Sequence, residues 1–234
     1  VSDDFAHHII EETCEPGGEG RGVTIDDFIA WSPGPSYVFM PCREIWSRAG
    51  VNSRVPPVSV VNAQGEEVKL KATTWLDQNR AVEQMMWAPG LPMLVTNRLV
   101  VDGGWIDRPG AACFNLYRPA RIALGDAEAA GPWLAHLRAI FNPDDVEHCI
   151  RWMAHRVQRP QDKINHALVL GGAQGIGKDT ILEPLKYAVG PWNFHEISPG
   201  HLLGSFNGFV RSVVLRVNEA RDLGEVNRFK FYDH

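Results

Sequence analysis

The chain has 234 residues, 44% hydrophobic and 22% charged, with 23 basic and 28 acidic side chains and a formal charge of −5. That length suffices for one large domain or two small ones with a real core. The acidic balance excludes a protein that coats nucleic acid by bulk positive charge, although it leaves room for a local basic patch. 

Four cysteines, Cys14, Cys42, Cys113 and Cys149, form no C-x-x-C pair. This argues against a disulfide framework or a zinc ribbon and for free thiols in a reducing cytosol. No apolar run reaches the roughly 18–20 residues of a membrane span. The chain starts at Val1 with no basic-then-apolar leader, so it is expected to begin inside a longer reading frame.

Residues 1–128 read as a mixed α and β region, rich in Gly, Pro and Trp, whose role the sequence does not reveal. Tyr37–Met40, Val58–Val61 and Met93–Thr96 are β-branched or aromatic and bounded by turn residues, which predicts strands. Lys69–Ala72 alternates like a half-exposed strand, and Asn79–Trp87 is predicted as a helix stopped before Pro89-Gly90.

Residues 129–163 read as a helical segment. Pro132 opens a helix with Leu134, Leu137 and Phe141 along one stripe. Asn142-Pro143-Asp144-Asp145 supplies an N-cap, a first-turn proline and two acids suited to the helix dipole. Val146, Cys149, Ile150, Met153 and Val157 follow at helical spacing until Pro160.

Residues 164–234 carry the chemistry. Ala167–Leu170 is predicted as a buried strand leading into Gly172-Ala173-Gln174-Gly175-Ile176-Gly177-Lys178-Asp179-Thr180, with a helix from Lys178 that Pro184 should bend or shorten. Gly172, Gly177 and Lys178 match G-x-x-x-x-G-K. Glycines let backbone N–H groups wrap phosphates, the helix N-terminus faces the same anion, and Lys178 reaches the β- and γ-phosphate oxygens. A surface turn with a chance lysine is the plainer alternative. 

Asp179 stands where Ser or Thr usually holds magnesium. Three readings stay open: Asp179 near the metal, Thr180 supplying the hydroxyl after a small shift, or Asp179 only steadying the helix start. A carboxylate beside phosphates is unfavourable unless a magnesium ion or Lys178 neutralises it.

The apolar strand Val213–Val217 runs into Asn218-Glu219. Glu219 is the candidate to hold magnesium through water or to polarise an attacking water, with Asp222 a lesser one and a solvated strand-end acid the alternative. His136, His148 and His155 read as exposed helix histidines rather than a metal site, because no cysteine or carboxylate pattern completes one. Most of the eight tryptophans read as packing. Arg151, Arg156 and Arg159 suit the negative end of their helix or touch DNA.

Three stretches together resemble phage and plasmid primase-helicases: Asn115-Leu116-Tyr117-Arg118-Pro119, the run Trp152–Pro160, and the Gly-Lys-Asp-Thr loop. The similarity is to the superfamily 3 helicase portion of phage primase/polymerase proteins, with Val217-Asn218-Glu219-Ala220 resembling their Walker B strand. It extends from about Trp75 onward and is strongest from Asn115 to Glu219. 

The resemblance implies an α/β fold: a truncated, AAA+-like P-loop ATPase core preceded by a helical segment. It further implies ATP and Mg2+ as cofactors, a homo-hexameric ring on single-stranded or forked DNA, and a bacterial host cytoplasm. Lys178 with Asp179 or Thr180 would form the Walker A site and Glu219 the Walker B acid. The sensor, pore-loop residues and arginine finger of such proteins lie beyond His234, so weak nucleotide binding and little hydrolysis are expected of this chain alone. Two rivals remain: a P-loop kinase, which needs lid arginines where only Arg211 lies, and a non-catalytic interaction module.

Overall fold

The computed structural model describes residues 22–202 and 208–218. The protein is mixed α/β and divides into two compact units, Val1–Arg118 and Pro119–His234. Among the described residues, no helix is long and apolar enough to cross a membrane.

The first unit is built on a four-stranded sheet of β1 (Phe28–Trp31), β2 (Ser36–Phe39), β3 (Glu44–Ser47) and β6 (Ala81–Val82). Its order is β3-β2-β1-β6, antiparallel except for the parallel β1–β6 pair. Side chains alternate across a strand, so Phe28 and Ala30 face one way and Ile29 the other. Phe28, Ala30, Tyr37 and Phe39 pack against Val51 and Val55, at α1 (Arg48–Arg54), and against Ala72 and Leu76 of α2 (Ala72–Asn79). Trp46 stacks on this cluster, its ring centroid 5.2 Å from Phe28 and 5.3 Å from Phe39. On the opposite face Ile29, Val38 and Val82 meet Phe114.

A separate hairpin pairs β4 (Val58–Val61) with β5 (Glu67–Leu70). Beyond α2, β7 (Gln84–Met86) lies parallel to β9 (Gly104–Asn115), which pairs antiparallel with β8 (Leu94–Val101). Asp102 and Gly103, with φ of 50° and 78°, make the two-residue turn between β8 and β9. Positive φ at both central residues matches the right-handed strand twist.

Two expectations fail here. Asn79–Trp87 is not a helix: the helix lies earlier, over Ala72–Asn79, and Gln84–Met86 is a strand. Strand pairing with Cys113–Asn115 overrides the local helical reading. Lys69–Ala72 is also mixed in kind, since β5 ends at Leu70 and Ala72 opens α2.

The second unit contains α3 (Gly131–Ile140), α4 (Pro143–Gln158), α5 (Lys178–Val189), β10 (Phe194–Ile197), the short α6 (Pro199–Leu202) and β11 (Val214–Val217). Asn142 caps α4, its Oδ1 accepting from the Asp145 N–H at 3.0 Å, a contact worth about 1 kcal/mol. Val146, Cys149 and Met153 form the buried stripe. Arg156 closes the far end by donating to the carbonyls of Arg159, at 3.0 Å, and Asp162. Strands β10 and β11 are parallel, with Phe194 opposite Val214 and Ile197 opposite Val217.

Ala167–Leu170 is not a strand, which overturns the expected strand before the glycine loop. Val169 is 90% exposed. A strand needs a neighbour for its backbone groups, and among the described residues β10 and β11 pair only with each other. Pro184 does not cut α5, which continues to Val189; its missing N–H leaves the Thr180 carbonyl without that partner.

Candidate phosphate-binding loop

The chain from Gly172 to Gly177 curls tightly because three of its residues tolerate positive φ: Gly172 at 144°, Gly175 at 84° and Gly177 at 87°. Gly177 is the N-cap and Lys178 the first residue of α5. The loop therefore delivers its lysine to the positive end of a three-turn helix. Lys178 Nζ donates to the carbonyls of Gly172 at 2.9 Å and Ala173 at 2.7 Å, bridging the start of the loop. Gln174 and Gly175 are exposed at its tip. The Ile176 side chain turns back over Gly172, where an added Cβ would lie 2.6 Å from its Cδ1.

Helix α3 grips this junction through residues one turn apart. Trp133 Nε1 donates to the Ile181 carbonyl at 3.1 Å, and His136 Nε2 lies 3.0 Å from the Gly177 carbonyl. A carbonyl only accepts, so His136 carries its proton on Nε2. His136 is thus half-buried and bonded, not the exposed helix histidine the sequence predicts. 

A Cβ on Gly177 would lie 2.5 Å from His136 Cε1. Gly177→Ala is therefore expected to lose about 1–3 kcal/mol from the left-handed backbone alone, and more from the ring it displaces. Urea unfolding of Gly177→Ala, His136→Ala and the double variant measures this. The double variant should be less destabilised than the sum of the two singles, since the clash is absent without the ring.

Asp179 is exposed, and its Oδ1 accepts from Arg216 on β11. Arg216 sits opposite Glu196 in the strand register, with NH1 3.7 Å from Glu196 Oε1. Lys186 Nζ lies 3.8 Å from the same carboxylate, and Asn218 Nδ2 donates to it at 3.3 Å. The alternating charges of Asp179, Arg216, Glu196 and Lys186 join the start of α5 to both strands. Arg216, shared with Glu196, offsets part of the charge of the carboxylate that the sequence leaves beside the loop.

Asp179 is thus already engaged by a cation, whereas Thr180 is exposed on the first turn of α5. A hydroxyl or carboxylate oxygen there is the hard donor that magnesium takes. Glu219 and Asp222 lie outside the described residues, as does Cys14. Among the described residues, no three His, Cys, Asp or Glu side chains are grouped to hold a metal ion. Burial pushes the Cys113 and Cys149 thiols above their ordinary range, which keeps both protonated and unreactive near neutrality.

Sequence reasoning did not single out Trp133, Arg216 or Glu196, and it set His136 aside. The only local signal was an arginine inside the apolar run Val213–Val217. No family model, curated protein or solved structure matches the chain.

Proposed function

We propose that residues 172–180 bind the phosphates of ATP, and that the chain is part of a DNA-unwinding ATPase of the superfamily 3 type from a phage or mobile-element primase-helicase. The observation that carries the reading is the join of three positive-φ glycines to the N-terminus of α5, with Lys178 at its first position. A loop so built offers backbone N–H groups, a helix dipole and a cation to one anion. Phosphate oxygens, being charged, compete well against the two carbonyls that Lys178 now contacts.

In this reading Thr180 and Glu219 hold Mg2+, while Asp179 with Arg216 ties the phosphate end of α5 to β11. The ion supplies charge neutralisation on the phosphates. The protein's share is to hold the loop, through His136 and Trp133, in the shape that receives them. The partners are single-stranded or forked DNA and further copies of the same chain in a hexameric ring, within a bacterial cytoplasm.

The test is ATP binding by this chain, and ATP turnover with and without single-stranded DNA by a longer version extended past His234. DNA-dependent turnover that disappears in Lys178→Ala supports the reading. Turnover indifferent to DNA but dependent on a nucleoside acceptor would favour a phosphotransferase. A chain that binds DNA yet no nucleotide would leave the loop a structural turn.

A further inference from the structure

Two histidines meet where the chain returns from α4 toward the glycine loop. His148 stands on the exposed side of α4 and His166 on the segment beyond it, both exposed. Their Nε2 atoms are 3.2 Å apart, their ring centroids 5.1 Å apart, and their planes 30° from parallel. With both rings neutral, one Nε2–H can donate to the other nitrogen. A straight bond of that kind would hold the two rings end to end, with centroids about 5.5 Å apart.

A bent hydrogen bond gives the observed spacing, and so does one ion shared between the rings. Zinc bonded to both nitrogens at about 2.0–2.1 Å spans an N–Zn–N angle of about 103°, close to tetrahedral, and sets the centroids about 5.0 Å apart. The observed 3.2 Å and 5.1 Å satisfy both conditions together. Two imidazole nitrogens are also the ligand type that suits zinc and its first-row neighbours rather than magnesium or calcium.

We propose that His148 and His166 clamp one zinc-type divalent cation through their Nε2 atoms, with water completing the tetrahedron. No third His, Cys, Asp or Glu among the described residues joins the pair. Asp144 and Asp145, one turn before His148 on α4, add negative potential that favours a cation. Asp145 itself stays with the helix cap, where Asn142 Nδ2 donates to its Oδ2. The clamp ties α4 to the stretch running into residues 167–170, so the ion would steady the approach to the glycine loop. It does not depend on what that loop binds.

Titrating Zn2+ into the chain by calorimetry tests the clamp. One site per chain is expected, lost in His148→Gln and in His166→Gln but kept in His155→Gln. Because both histidines are exposed, the variants should keep the far-ultraviolet circular dichroism of the parent. Zn2+ should also raise the Tm of the parent and not that of either variant. Absence of binding by the parent, or binding that survives both substitutions, overturns the proposal.

Discussion

Asn115→Leu is expected to destabilise the first unit by about 3–5 kcal/mol, among the largest effects of any single substitution there. Asn115 is fully buried at the end of β9. Its Oδ1 accepts from the Ala88 and Tyr117 N–H groups, both at 3.0 Å. Its Nδ2 donates to the carbonyls of Ala88 at 2.8 Å and Leu91 at 3.0 Å. Leucine fills similar space but leaves three backbone groups without partners, the Ala88 and Tyr117 N–H groups and the Leu91 carbonyl, each costing about 1–3 kcal/mol, less than additively; the Ala88 carbonyl keeps the Leu91 N–H at 3.3 Å. Urea unfolding followed by tryptophan fluorescence measures the loss, and a change below about 1 kcal/mol would show that the backbone groups find other partners.

Asn115→Asp separates the two halves of this network. A carboxylate keeps the acceptor side but faces the Ala88 and Leu91 carbonyls with a second acceptor. Burial and those carbonyls raise its folded pKa above the unfolded value of about 3.9. The folded state therefore binds the proton more tightly than the unfolded one. The variant should be most stable below about pH 3.9 and lose that advantage as pH rises to its folded pKa, reaching its full deficit above it. Comparing its unfolding with that of the parent across this range isolates the contribution.

Lys178→Ala is expected to weaken ATP binding about 10- to 150-fold, the loss of a charge-assisted contact worth about 1.5–3 kcal/mol. The substitution should do little to the fold. Lys178 bonds only to the carbonyls of Gly172 and Ala173 in an exposed loop, and α5 retains its buried residues Ile181, Leu185 and Val189. Fluorescent ATP-analogue titration together with thermal unfolding separates the two effects. Unchanged affinity would remove the phosphate-binding role of the loop, and a large fall in Tm with unchanged affinity would make Lys178 structural. Lys178→Arg retains charge but not the compact ammonium, so it should restore affinity only in part.

Several elements were legible because their causes are local. The run Asn142-Pro143-Asp144-Asp145 carries its own cap and first turn, and α4 starts at Pro143. The runs Tyr37–Met40 and Val58–Val61 correspond to β2 and β4. The reading failed where a distant residue supplied the stop or the partner. Thr73, Thr74 and Trp75 are indifferent helix formers, yet α2 begins beside them because Asn52 fastens its first turn. Asn52 Oδ1 accepts from the Thr73 N–H at 3.2 Å, and its Nδ2 donates to Thr73 Oγ1 at 3.0 Å. Ala167–Leu170 has the composition of a buried strand but no neighbouring strand among the described residues.

The local geometry of the candidate site follows from its own residues. Glycine spacing set where the backbone could take positive φ, and Gly177-Lys178 set where α5 begins. What surrounds it comes from packing: Arg216 on Asp179, His136 against Gly177, and His148 against His166. These partners lie 37, 41 and 18 residues apart in the chain. Backbone preference acts over a few residues, whereas the pairing of charges and rings depends on how helices and strands pack.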